Sequence, residues 1–219
     1  MPAAKKKILI VDDHPMMREG LAQLITQEED LVVCGEAEDA AQAIEQIEKL
    51  KPDLALVDIT LRSSSGLELI KDLRIRAPAL SVLVISMHDE SLYAERVLRA
   101  GGRGYIMKQE GGKKLMQAIR TVLGGGTYVS EKMAAKILDI FSGRPGEGAS
   151  PVTRLTDREF EIFRLIGQGL STKEIADKLH LSAKTVEVHR VNIKQKLNVA
   201  TAPELIRMAV RWLESQNPT

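Results

Sequence analysis

"KILIVDDHP", residues 7–15, is the stretch that decides the fold. Ile8 to Val11 are four consecutive apolar residues, the pattern of a short strand covered on both faces, and two carboxylates, Asp12 and Asp13, follow without a spacer. Strands covered on both faces belong to parallel sheets, where helices return the chain from one strand to the next. Adjacent carboxylates beside a core are unfavourable unless a cation lies close to them. The stretch therefore predicts a parallel α/β sheet with a cation at the end of its first strand.

The same grammar recurs along the chain. "LVVCGE" (31–36), "LALVD" (54–58), "SVLVIS" (81–86) and "GYIM" (104–107) are further short apolar runs. The stretches between them have helical spacing; in "AAQAIEQIEKL", Ala40, Ala43, Ile44, Ile47 and Leu50 share one face. Five such units predict an α/β fold, a five-stranded doubly wound parallel sheet with helices on both faces. In these sheets chemistry gathers outside the carboxyl ends of the strands.

Beyond residue 127 the pattern changes. "SEKMAAKILDIF" (130–141) has helical spacing and leads into "SGRPGEGASP" (142–151), whose Gly, Pro and Ser mark a flexible linker. The chain thus divides into a sheet domain over 1–127, a linker helix and linker over 128–150, and an all-α domain over 151–219. In the last, "TDRE" (156–159), "STKE" (171–174) and "TAPE" (201–204) each place Thr or Ser three residues before Glu, the capping-box signal. With "LHLS" as a tight turn, four short helices are expected near 157–167, 172–179, 183–197 and 202–214.

Composition excludes several classes. With 219 residues and 44% hydrophobic content, the chain can build two real cores. Residues 1–150 carry 20 basic against 22 acidic side chains and residues 151–219 carry 11 against 8, so the C-terminal part is mildly basic. Cys34 is the only cysteine, which rules out an intramolecular disulfide or a thiolate cluster; it reads as a small buried hydrophobe in a reducing compartment. No apolar run approaches the ~18 residues of a membrane span, and "MPAAKKK" runs into a strand with no signal-peptide core. A cytoplasmic protein with no membrane partner is expected.

Aligning the strand ends brings the polar residues together. Asp12 and Asp13 end strand one, Asp58 ends strand three, Ser86 ends strand four and Lys108 follows strand five. Any one of these could be a helix cap or a solvated loop residue. Jointly, three carboxylates at one sheet edge form an oxygen-rich site suited to a hard, partly hydrated cation, and Mg²⁺ is the expected cofactor.

"ILIVDDHP", "LALVDITLRSSSGLELI", "LVISMH" and "GGRGYIMK" resemble the four motifs of the receiver domain of two-component response regulators, over residues 6–123. "LTDREFEIFRLIGQGLSTKEIADKLHLSAKTVEVHRVNIKQKLNV" resembles the LuxR-type helix-turn-helix domain, over 155–199. In this order they look like the NarL/FixJ class. The resemblance implies a flavodoxin-like receiver in which Asp58 accepts a phosphoryl group from a partner histidine kinase. It also implies Mg²⁺ held by Asp12, Asp13, Asp58 and the backbone carbonyl of Thr60. Lys108 would clamp the phosphoryl oxygens, Ser86 would donate a hydrogen bond to them, and Tyr105 would be the aromatic switch that turns inward once Ser86 moves. The sequence departs from the family pattern at Arg62, where a proline is usual, and at Met87, where smaller residues are common. His88 reads as a solvated loop histidine.

The third helix of the last domain can be read from spacing. Val186, His189, Ile193 and Leu197 share an inward face, with His189 a satisfied core residue, and the opposite face presents Lys184, Val188, Val191 and Gln195. A second helix set by a short turn is the geometry that enters a major groove. By the resemblance this is the recognition helix: Lys184, Thr185, Arg190 and Lys194 would hold phosphates, and Glu187, Val188 and Val191 would sit where bases are read. Double-stranded DNA with a palindromic operator, a homodimer on activation and RNA polymerase are the implied further partners. Two alternatives stay open: an aspartyl phosphatase of the haloacid dehalogenase type, and a DNA-binding module with a silent receiver.

Overall fold

The computed structural model of the chain describes residues 4–61, 65–141 and 151–216. Two compact units, 1–141 and 142–219, are described separately.

In the first unit, β1 (Lys6–Val11), α1 (Pro15–Thr26), β2 (Leu31–Ala37), α2 (Ala40–Leu50), β3 (Leu54–Asp58), α3 (Gly66–Arg76), β4 (Ser81–Ser86), α4 (Glu90–Ala100), β5 (Gly104–Met107) and α5 (Gly111–Leu123) alternate as the sequence predicts. The strands form one sheet in the order β2-β1-β3-β4-β5, every pair parallel. Because strand side chains alternate, each strand supplies two cores. Ile8, Ile10, Leu54, Leu56, Leu83, Ile85 and Ile106 pack with Leu21 and Ile25 of α1 and Leu115, Ile119 and Val122 of α5. Leu9, Val11, Ala55, Val57, Val84 and Tyr105 point the other way, towards α2, α3 and α4, and are equally buried. All four residues of "ILIV" are fully excluded from solvent, as a strand covered on both faces must be.

Local signals set the helix ends. Pro15, which lacks the N–H that a first turn leaves unpaired, opens α1. Asp39 and Asp89 cap α2 and α4 by accepting from Gln42 N and Ser91 N. After β3 the chain turns back through an antiparallel bridge between Thr60 and Ser65, and a Cβ on Gly66 would lie 2.3 Å from the Asp58 carbonyl oxygen, so only glycine fits there. Arg62, the expected departure from the family pattern, lies outside the described residues, as does 142–150 of the expected linker. Cys34 is half-buried rather than enclosed, because the β1–β2 register shifts beside it.

The helix read from its spacing and grouped with the linker, α6 (Glu131–Phe141), falls within the first unit. Tyr128 extends the sheet: it bridges Gly104 in parallel, donates its N–H to the Arg103 carbonyl and accepts from Tyr105 N at its own carbonyl. Ser130 N then donates to Glu90 of α4 at 2.7 Å, and Met133 of α6 is buried. A Gly-rich stretch after α5 gave no sign in the sequence that the chain returns to the sheet edge.

The second unit contains α7 (Asp157–Gly167), α8 (Thr172–Lys178), α9 (Ala183–Leu197) and α10 (Ala202–Gln216). The first two expected capping boxes form in full, and at the third Thr201 and Glu204 exchange the same reciprocal pair of bonds. Phe160, Phe163, Ile175, Val186, Ile193, Leu205 and Ala209 fill the core, with Trp212 of α10 edge-on to Phe160 and Phe163 at 5.5 and 5.6 Å between ring centres. Glu159, 3% exposed, accepts from Thr156 N at 2.8 Å and from Lys196 Nζ of α9 at 2.6 Å, which joins the first and third helices.

Burial by itself would raise the Glu159 pKa; the Lys196 ammonium and the Thr156 bonds outweigh it and hold the carboxyl below its ordinary value. A depressed carboxylate contributes stability above its unfolded pKa and loses it as pH falls through the folded one. Thermal melts of the second unit's Trp212 fluorescence in the full chain should therefore move to lower temperature on acidification below pH ~4.5. Glu159→Ala should remove about 1–3 kcal/mol of stability at neutral pH and flatten that acid dependence.

Candidate phosphoacceptor site and basic helix

The sheet brings the predicted strand-end residues to one edge. Asp12, 0% exposed, closes β1, and Asp58, 3% exposed, closes β3 beside it. Between them sits the Lys108 ammonium, its side chain 4% exposed, donating to Asp12 Oδ2 at 2.6 Å and to Asp58 Oδ2 at 2.7 Å. The charge next to the core that the sequence demanded is thus answered in part from within the chain. Burial works against the charge on Lys108, but Asp58 and Asp12 outweigh it and raise its pKa. Burial also raises the pKa of Asp58, against the pull of Lys108 and of the Thr60 N–H, while the Asp12 charge adds to the rise.

The outer oxygens face a different set of groups. Asp58 Oδ1 accepts from Thr60 N at 3.2 Å, and Asp12 Oδ1 accepts from His14 N at 2.9 Å. Asp13 Oδ1 is buried and makes no hydrogen bond, although His14 Nδ1 lies 2.7 Å away. Ligand atoms of Asp12, Asp13, His14 and Asp58 all fall within 4.8 Å of one another. A buried carboxylate oxygen without a hydrogen bond, beside two further carboxylates, fits a hard divalent cation. His14 was not among the residues singled out in the sequence. Its place in "DDHP" offered the signal, but only the turn into α1 aims its ring at the carboxylates.

Ser86 and Tyr105 lie next to this edge. Ser86 is fully buried and its Oγ accepts from His88 N at 3.2 Å. Tyr105 is 1% exposed and its hydroxyl donates to the His88 carbonyl at 2.8 Å. Tyr105 thus already lies inward in this structure. Burial, eased by a hydrogen bond with Ser86, drives the Tyr105 pKa far above its ordinary value. His88 is not the solvated loop residue that the sequence suggested: Nε2 and Thr60 Oγ1 are hydrogen-bonded at 3.2 Å, and the ring stacks on Tyr93. Met87, beside it, is 61% exposed.

In the second unit, α8, a turn and α9 form the expected helix-turn-helix. His180 adopts φ +52° in the turn, and Leu181 N donates to the Ala176 carbonyl. Val186, Ile193 and Leu197 of α9 are buried, whereas Lys184, Glu187, Val188 and Val191 are exposed. Lys194 is half-buried. Two expected phosphate ligands are engaged inside the motif. Arg190, its side chain 13% exposed, donates to Thr172 Oγ1 of α8 at 3.2 Å and lies 3.7 Å from Glu187, which itself accepts from Thr172 at 2.6 Å. The Thr185 hydroxyl is 2.7 Å from Ser182 Oγ at the helix cap. His189 is not satisfied as expected: its Nδ1 is buried without a hydrogen-bond partner, since the stripe that carries it inward is otherwise apolar.

Among the described residues no helix is long and apolar enough to cross a membrane. The model of the response regulator receiver domain matches residues 8–120, and that of bacterial regulatory proteins of the luxR family matches 153–209. The oxygen regulatory protein NreC of Staphylococcus carnosus is 36% identical over 94% of this chain and 97% of its own length; NreC of Staphylococcus aureus is 35% identical over the same shares. Among solved structures, RcsB of Salmonella enterica serovar Typhimurium bound to the rprA promoter with the phosphomimetic BeF₃⁻ is 27% identical. That match has a TM-score of 0.67 and covers 94% of this chain and 98% of RcsB. The strand order, the acidic edge and the helix-turn-helix agree with these likenesses, and the chain belongs to the two-component response regulators that join a receiver domain to a LuxR-family DNA-binding domain.

Proposed function

We propose that Asp58 is the phosphoacceptor through which a partner histidine kinase controls this chain's binding to DNA. The observation that carries the reading is the Asp58 carboxylate, buried at the end of β3 and shared with Asp12 by the Lys108 ammonium. In the transfer an Asp58 oxygen attacks the phosphorus of a phosphohistidine, the P–N bond breaks, and the imidazole leaves with the electron pair and takes up a proton. Lys108 is placed to neutralise charge on the transferred group, and Thr60 N–H holds the second Asp58 oxygen so that the nucleophile keeps its direction. Asp12, Asp13, Asp58 and the Thr60 carbonyl would hold Mg²⁺, which when bound offsets the negative charge of the phosphoryl oxygens. Ser86 supplies a hydroxyl for the new group, and Tyr105 reports its arrival to the α4 side of the sheet.

On the DNA side, Lys184 and Lys194 contact phosphates, and Val188, Val191 and Glu187 face base edges in the major groove. Arg190 and Thr185 act chiefly by fixing α9 on α8 and at its cap. RcsB, whose structures include a promoter complex with BeF₃⁻ and two dimers on two parallel DNAs, supports a dimer on duplex DNA. A two-fold dimer matches a palindromic operator, with RNA polymerase the partner that reads the outcome. The chain acts as a regulator in this reading and does not turn over a small phosphoester.

The test couples both ends. With acetyl phosphate and Mg²⁺ the intact mass should rise by one phosphoryl group, and beryllofluoride with Mg²⁺ should raise the dimer fraction in light scattering and tighten binding to selected DNA. A chain that takes up no phosphate, or whose mass and DNA affinity ignore beryllofluoride over a broad concentration range, would sink the proposal.

A further inference from the structure

His88 is the residue through which the phosphoacceptor loop, Ser86, Tyr105 and α4 are connected. Its backbone makes two bonds, accepting from the Tyr105 hydroxyl at 2.8 Å and donating to Ser86 Oγ at 3.2 Å. A buried phenol stays inside only while its acceptor stays in place. The segment runs along the surface, where the neighbouring Met87 is 61% exposed. The His88 side chain is held on two sides. Nε2 is hydrogen-bonded to Thr60 Oγ1 at 3.2 Å, and the ring lies 5.2 Å from the Tyr93 ring of α4, inclined by 22°. Thr60 in turn donates its N–H to Asp58 Oδ1.

We propose that the His88 side chain is a positioning residue: by tying Thr60 to Tyr93 it fixes the backbone carbonyl that keeps Tyr105 buried before any phosphoryl group is present. This rests on Asp58 being the phosphoacceptor, and it adds that the inward state of the switch is favoured in advance by an interaction between side chains. The Thr60–His88 bond then sets how much of the inward shift is left for phosphorylation to make. A strong tether leaves a small shift and a raised basal level of the active arrangement; a broken one returns Tyr105 to an inward-outward equilibrium.

The experiment uses the full chain labelled with 3-fluorotyrosine, without phosphodonor. Tyr93, Tyr105 and Tyr128 are its only tyrosines, so three fluorine resonances are assigned by single Tyr→Phe changes. In the parent the solvent-exposed fraction of Tyr105 should be below about 10%. His88→Ala and Thr60→Val should each raise it at least fivefold, whereas Thr60→Ser, which keeps the hydroxyl, should behave as the parent. Thr60→Val preserves side-chain volume at an exposed position and guards against His88→Ala failing to fold. If Tyr105 keeps its parent exposure in both His88→Ala and Thr60→Val, or if Thr60→Ser exposes it as Thr60→Val does, the tether is refuted. Incubating the same samples with acetyl phosphate separates this from the function itself. A parent that takes up no phosphate overturns the phosphoacceptor reading, while the Tyr105 measurement still judges the tether on its own terms.

Discussion

Asp58→Ala should leave the chain unable to take up phosphate from acetyl phosphate or from a phosphorylated kinase, while Asp13→Ala should still be phosphorylated, only slowly. The two carboxylates stand at the same edge but differ in surroundings. Asp58 is 3% exposed and bonded to Lys108 and to Thr60 N, so both its oxygens are oriented before any donor arrives. Asp13 is turned outward, with one oxygen buried and no hydrogen bond to it. On the proposed reading, removing the first deletes the nucleophile and removing the second deletes a cation ligand. Intact-mass spectrometry should show no product for Asp58→Ala at times when the parent is fully converted. For Asp13→Ala the Mg²⁺ concentration giving half-maximal rate should rise at least about tenfold, and high Mg²⁺ should recover much of the rate. Asp58→Asn, which keeps an oxygen for Lys108, should be equally unreactive. Uptake of phosphate by the Asp58 variants at the parent rate would place the acceptor elsewhere.

The second large effect is expected on DNA. Lys184→Ala and Lys194→Ala should weaken binding to operator and random DNA by the same factor, and each should reduce the slope of log K against log salt by about 1, because phosphate contacts act through counterion release and carry no sequence information. Val188→Ala and Val191→Ala should do the reverse. Their side chains are 54% and 46% exposed on α9 and have methyl groups to bury against thymine. Shortening either should narrow the gap between operator and random DNA by about 1 kcal/mol or more, roughly fivefold, with an unchanged salt slope. Arg190→Ala is expected to lower thermal stability as well as affinity, since its guanidinium joins α9 to Thr172. Binding titrations at several salt concentrations separate the three classes. If Lys184→Ala and Val188→Ala behaved alike in both salt slope and discrimination, the orientation of α9 on DNA would be wrong.

The sequence by itself determined the secondary structure, the sheet and the edge where chemistry collects. Burial on both faces is written as consecutive apolar residues in "ILIV" and "LALVD", helix faces as a period near 3.6, and helix starts as Ser or Thr three residues before Glu. Each signal acts within a few residues, so it is legible without knowing the rest of the chain. A parallel sheet then has one carboxyl edge, which is why Asp12, Asp58, Ser86 and Lys108 could be brought together on paper.

What the tertiary structure alone decided depends on loops and on residues far apart. Lys108 and Asp12 are separated by 96 positions, Thr60 and His88 by 28, and Tyr105 and His88 by 17. Their meeting is set by backbone conformation in segments without periodicity. The same holds for His14 turned onto the carboxylates, for Tyr128 returning to the edge of β5 and so drawing α6 into the first unit, and for Arg190 directed at Thr172. A charged or polar side chain has several partners of similar energy within reach, and which one it takes is fixed by angstrom-scale placement that residue order does not encode.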